Sequence, residues 1–297
     1  MPDNKDDRPR HNRAPLAYEN KKFLNGPDGR ILRILAEYQE PLARFRRERI
    51  QDTIVFFGSA RFHSRSQAEE TLQVLERPHS ATLAPAEEQE RLRLAKADVE
   101  MARYYEDARK LAFLVTQWTK SISQQRHRFV ICTGGGPGIM EAANLGASEA
   151  GGKTIGMNIN LPFEQMPNAY ITPELNFEFH YFFMRKLWFA YLAKGLVVFP
   201  GGFGTFDELF ELLTLSQTEK LAKRICIVVY GKEYWDRVVN FQALVDAGTI
   251  SPKDLELFHW ANTPEEAFDH LCTDLTRYHL EQPGAREKEP EIAKTRP

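Results

Sequence analysis

Short, unbroken apolar runs alternate with stretches of helical spacing along most of the chain. Residues 53–58 read Thr-Ile-Val-Phe-Phe-Gly, an apolar run closed by a small-residue turn, which predicts a strand buried on both faces of a parallel sheet. The runs 129–133, 154–157, 196–199 and 225–229 predict further strands, and a short apolar piece lies at 257–260. Helical spacing fills the intervals at 138–150, 184–193, from Thr205 onward and 233–247, and a last helix opens at Thr263-Pro264, a cap followed by a first-turn proline. A looser segment runs through Pro162 and Pro173. Before residue 129, Leu92, Ala95, Val99, Ala102, Ala108, Leu111 and Val115 fall near helical spacing, so the first crossover carries a helical insertion. Further upstream, Ile31, Ile34, Leu35, Leu42, Phe45 and Ile50 predict one or two amphipathic helices, with Pro41 as the interruption. The expected fold is α/β, a doubly wound parallel sheet with helices on both faces, N-terminal helices and that insertion. Residues 21–281 are expected to form a single domain, with 1–20 disordered and 282–297 a flexible tail.

Composition narrows the range of functions. Of 297 residues, 42% are hydrophobic and 27% charged, which suits a soluble globular body with a large core. The formal charge of −2, with no long basic stripe, predicts no nucleic-acid partner, and the cluster Arg44, Arg46, Arg47 and Arg49 reads as a solvated helix face. No apolar run approaches the roughly 20 residues of a spanning helix, and the N-terminus lacks an apolar core segment, so a cytoplasmic protein with no membrane partner is expected. Cys132, Cys226 and Cys272 lack metal-ligand spacing and read as thiols in a reducing compartment. Neither a metal nor a cofactor is predicted.

Three glycine or small-residue turns follow predicted strands: Gly58-Ser59-Ala60, Gly134-Gly135-Gly136-Pro137-Gly138 and Gly201-Gly202-Phe203-Gly204-Thr205. In an open parallel sheet, ligands bind beyond the carboxyl ends of strands, which makes Ser59, Gly135 and Gly136 candidate contacts beside the third turn. Each turn could equally serve only to bend a strand into a helix. None fits the Walker pattern or the complete dinucleotide fingerprint, which argues against a kinase or a hydride-transfer enzyme. The third turn is suited to phosphate, because its backbone N–H groups and the following helix end attract anions, and Thr205 could cap that helix or add a hydroxyl. Asp207 and Glu208 follow directly. Acids favour a helix N-terminus for electrostatic reasons alone, yet a carboxylate beside a phosphate seat also suits chemistry on a sugar phosphate. Arg185 and Lys186, ahead of the strand that feeds this turn, are either cations for the same ligand or an ordinary surface pair.

Pro200-Gly201-Gly202-Phe203-Gly204-Thr205-Phe206-Asp207-Glu208, preceded by Met184-Arg185-Lys186, resembles the paired motifs of the Lonely Guy family, often labelled lysine decarboxylase. The resemblance implies a Rossmann-like homodimer or higher oligomer that hydrolyses the N-glycosidic bond of nucleoside 5′-monophosphates to a free base and ribose 5-phosphate, some members activating cytokinins. It makes Arg185 and Glu208 the catalytic pair and gives the phosphate to Gly201, Gly202, Phe203, Gly204 and Thr205. Met184, Lys186, Glu164, Asp207 and Thr214 would then lie near the substrate. A carboxylate at Glu208 would stabilise the positive charge that develops on the ribose as the base departs, or activate the attacking water. The long N-terminal region, the insertion before residue 129 and Asp207 where glutamate is usual mark a longer, bacterial-type relative. Similar architecture occurs in molybdenum-cofactor carriers and in DNA-processing proteins. A literal decarboxylase would need a lysine for pyridoxal phosphate, such as Lys186 or Lys220.

Overall fold

The computed structural model describes residues 14–77, 85–122, 126–161, 166–221 and 223–281. Its centre is a seven-stranded, all-parallel sheet of β1 (Thr53–Phe57), β2 (Val130–Thr133), β3 (Thr154–Ile159), β4 (Asn176–Phe179), β5 (Ala193–Val198), β6 (Cys226–Tyr230) and β7 (His259–Ala261). The spatial order is β4-β3-β2-β1-β5-β6-β7, so the chain builds outward from β1 in one direction and then returns to build outward in the other. This is a Rossmann-like doubly wound sheet, and its switch point lies between β1 and β5.

Alternation along each strand sends successive side chains to opposite faces. Ile54 and Phe56 join a core with α4 (Pro85–Lys120), α5 (Ile139–Glu149) and α10 (Pro264–Leu275). Val55 and Phe57 join a second core with α2 (Arg30–Arg47), α6 (Phe182–Leu192) and α7 (Phe203–Gln217). The crossover from β1 to β2 holds α3 (Arg65–Glu76) and the 36-residue α4, whose Ala108, Leu111, Ala112 and Val115 are fully buried. A short α1 (Lys21–Asn25) precedes α2.

Several element boundaries depart from the expected ones. Pro41 does not interrupt α2; it sits inside one continuous helix. Lacking an N–H, it leaves the carbonyl of Glu37, one turn earlier, without its usual helical donor, and the indole of Trp188 on α6 fills that vacancy at 2.9 Å. The predicted helix over 233–247 is two, α8 (Lys232–Val238) and α9 (Phe241–Asp246), because the Asn240 side chain accepts from the N–H of Ala243 and caps a new start. Strand β4 has no counterpart among the expected strands. Its Asn-Phe-Glu-Phe alternates instead of running apolar, as suits an edge strand, with Phe177 and Phe179 buried and their neighbours exposed. Among the described residues no helix is long and apolar enough to cross a membrane.

Candidate active site

The three small-residue turns leave the carboxyl ends of β2, β1 and β5, which are neighbours in the sheet. Backbone hydrogen bonds join them into one rim: the N–H of Ser59 donates to the carbonyl of Pro200 at 2.9 Å, and that of Ile139 to the carbonyl of Ser59 at 3.1 Å. Gly138 has a φ of 72°, and a side chain there would run into the Ser59 carbonyl, so the close approach depends on glycine. The middle turn is braced from below. Thr133 Oγ1 accepts from the N–H of Gly135 and donates to Asn144, while the Asn168 amide donates to the carbonyls of Gly135 and Gly136 and to Asn144 Oδ1. Asn168 comes from the segment that the sequence leaves as loop.

After β5 the chain turns at Gly201 and enters α7 at Phe203, with Gly202 as its cap and no side chain capping the helix end. Thr205 therefore does not cap the helix, one of the two roles the sequence leaves open for it; it lies within the first turn, buried, its side chain filling the space beside Gly201. The first turn of α7 has no side-chain cap, and among the described residues nothing lies within 4 Å of where side chains at Gly202 or Gly204 would stand, which leaves room for an anion to reach the backbone.

Glu208, on the inward face of α7, is 9% exposed. Burial pushes its carboxyl up to about 7, against the pull of the charges on Lys186 and Arg185, and none of the described residues donates a hydrogen bond to it. Arg185 on α6 is held from several sides. Its Nε donates to the carbonyl of Met157 at 2.8 Å, its guanidinium lies 5.2 Å from the ring centre of Phe189, and a side chain at Gly134 would collide with it. Burial works against the charge on Arg185, and Glu208 supports it.

The remaining candidates divide around α7. Lys186 pairs with Asp207 at 2.7 Å and Glu211 at 2.9 Å, so its ammonium is shared between two carboxylates while its field also reaches Glu208. These three residues, with Phe203, Phe206, Phe210 and Thr214, line an open groove of about 640 Å³ along the outer face of α7. Thr214 donates its hydroxyl to the Phe210 carbonyl. The Met184 side chain is buried in the core, not in the groove, because it follows the first turn of α6 inward. Phe177, Phe179 and Tyr181 are core residues as well, whereas Phe182 is exposed. Glu164 lies outside the described residues.

Glu37 carries no signal in its local sequence. Its two carboxylate oxygens accept the N–H groups of His180 at 2.7 Å and Tyr181 at 3.2 Å, the residues that lead into α6, and Arg33 donates to the Tyr181 hydroxyl. With the Trp188 bond to its carbonyl, Glu37 fixes the start and one flank of the helix that carries Arg185. Glu37→Ala is expected to lower turnover by about tenfold, with Glu37→Gln, which keeps one acceptor, in between; steady-state kinetics with melting curves would separate misplacement of α6 from general loss of fold.

Comparison with known proteins bears on this site. The family described as "Possible lysine decarboxylase" matches residues 140–271. A probable cytokinin riboside 5′-monophosphate phosphoribohydrolase of Oryza sativa subsp. japonica is 26% identical over 156 residues, covering 49% of this chain and 68% of the relative. A cytokinin riboside 5′-monophosphate phosphoribohydrolase of Rhodococcoides fascians is 30% identical over 137 residues, covering 45% of this chain and 67% of the relative. Among solved structures, the molybdenum cofactor carrier protein of Chlamydomonas reinhardtii is 18% identical, covers 75% of this chain and 99% of that chain, and has a TM-score of 0.40. The stretch matched by the family contains both the Arg185 segment and the Pro200–Glu208 turn, and with 30% identity across two thirds of a curated relative the chain belongs to the Lonely Guy family.

Proposed function

We propose that this protein hydrolyses the N-glycosidic bond of nucleoside 5′-monophosphates, AMP or a cytokinin riboside monophosphate among them, releasing the base and ribose 5-phosphate. The observation that carries the reading is the position of Glu208: a buried carboxyl, without a hydrogen-bond donor among the described residues and with its pKa raised to about 7, one helical turn beyond a helix end with no side-chain cap that can seat a phosphate. The names of the two curated relatives support the same chemistry.

In this reading the phosphate rests on the backbone N–H groups at the start of α7, which anchors the ribose with its anomeric carbon toward Glu208. The C1′–N bond breaks with its electron pair leaving on the base, and a water oxygen bonds to C1′. One water proton stays on the new anomeric hydroxyl, and the other passes through Glu208 to the medium or the departing base. As the bond stretches, positive charge builds on the ribose ring, and an ionised Glu208 in a water-poor site stabilises that charge more than it stabilises the bound nucleotide. Arg185, fixed by Met157 and Phe189, holds the ribose phosphate and the carboxylate in register.

The test is incubation of the purified protein with a panel of nucleoside 5′-monophosphates, followed by chromatography. Equal amounts of base and ribose 5-phosphate are expected, and the nucleoside without its phosphate is expected to be a far poorer substrate. Recovery of every nucleotide intact would refute hydrolysis, and a phosphorylated ligand bound and returned unchanged would mark a carrier.

A further inference from the structure

We propose a second, metal-binding site at the opposite edge of the sheet from the glycine rim, formed by Cys226, His259 and Asp274 and suited to Zn²⁺. Cys226 and His259 are the first residues of β6 and β7, adjacent parallel strands, and Asp274 lies in the last turn of α10, which packs against both. The three residues are far apart in the chain. Folding nonetheless brings one ligand atom from each to within 4.8 Å of the others.

The donor set selects the metal. A thiol, an imidazole and a carboxylate on one centre match the S, N and O ligands of zinc and are unsuited to Mg²⁺ or Ca²⁺, which take oxygen. Charge balance also favours a divalent ion. Without metal, His259 Nε2 lies 3.0 Å from Asp274 Oδ2, and the Cys226 thiol donates to the carbonyl of His270 at 3.8 Å. A Zn²⁺ ion entering between them displaces the thiol proton to solvent and takes a ring nitrogen of a neutral imidazole, so the thiolate and the carboxylate together offset its two positive charges. The His259 ring is already oriented: it stacks on His270 with centroids 4.5 Å apart and planes 12° from parallel. Access is graded as a metal site needs, with Cys226 buried and the His259 and Asp274 side chains 38% and 19% exposed, so that a water can complete a tetrahedron. The rim residues Arg185 and Glu208 lie beyond the other ends of the strands, so the role is that of a staple tying β6, β7 and α10, independent of base release.

The experiment is titration of chelator-stripped full-length protein with Co²⁺, a spectroscopic stand-in for zinc, at about pH 7.5, where thiolate ligation is accessible. One equivalent is expected to produce a near-ultraviolet thiolate-to-cobalt charge-transfer band and visible bands of four-coordinate cobalt, and Zn²⁺ is expected to bleach both and raise the melting temperature. Cys226→Ser is expected to remove the charge-transfer band, Cys272→Ser to keep it, and His259→Gln, at a partly exposed position, to weaken cobalt binding by about tenfold or more. Absence of the band at saturating cobalt, its survival in Cys226→Ser, or unchanged affinity in His259→Gln would each overturn the site. Base release from AMP is measured on the same samples and is expected to stay at the wild-type level, so failure of the metal site and failure of the hydrolase reading are distinguishable.

Discussion

Glu208→Gln is expected to slow base release from AMP by about a thousandfold or more while leaving the protein folded. The amide has nearly the shape of the carboxyl but carries no negative charge for the ribose cation and accepts no proton from water. The same residue sets a pH profile. In the proposed mechanism the ionised form acts, and its pKa is about 7, so kcat/KM of the wild-type protein is expected to fall about tenfold for each pH unit below that value and to level off above it. Stability should move in the opposite sense. The folded-state pKa lies above the ordinary value of 4.5, so folding takes up a proton between the two, and the cost of burying the charge grows as pH rises from 4.5 to 7. Glutamine removes that cost. At about pH 8 the variant is expected to be more stable than wild type by on the order of 2–3 kcal/mol, with the gap closing on acidification. Melting curves and initial rates across pH check both halves; a variant that keeps activity within tenfold, or that is destabilised at alkaline pH, contradicts the assignment.

Arg185→Ala is expected to cost about 10²–10³-fold in kcat/KM, and Arg185→Lys nearly as much, because an ammonium cannot hold the Met157 carbonyl, stack on Phe189 and present a planar fork to the substrate at once. The loss carries a second signature. Arg185 is one of the two charges that restrain the Glu208 pKa, so removing it should push that carboxyl higher and move the acidic limb of the residual activity toward alkaline pH. Lys186, engaged by Asp207 and Glu211, is poorly placed to compensate. The two catalytic substitutions are also expected to be far from additive in the double variant, since each disables the same arrangement. An unshifted profile with near-normal rates would show that Arg185 is structural.

Much of this was legible in the chain. The buried strands announce themselves because a parallel strand covered on both faces is mostly apolar, and 53–58 or 196–199 admit few other readings. The Gly201–Thr205 turn and the acid behind it are contiguous, so their juxtaposition survives any fold. What escaped notice depends on partners distant in sequence. Strand β4 is an edge strand of four alternating residues. Pro41 reads as a break until Trp188 supplies a donor to the carbonyl it strands. Glu37, on a helix far from the motif, and Asn168, in a loop, look like ordinary polar residues until the backbone groups they satisfy come within reach.

By itself the sequence determined the class of fold, most of the buried strands and the glycine turn with the acids behind it, because these follow from local periodicity and a contiguous motif. The tertiary structure decided how those groups behave. Packing of α7 on the sheet removes Glu208 from water and raises its pKa, the pairing of Lys186 with two acids takes up its charge, and the register of β6, β7 and α10 gathers Cys226, His259 and Asp274. Burial and the company of charges are properties of a folded surface, and no stretch of chain carries them alone.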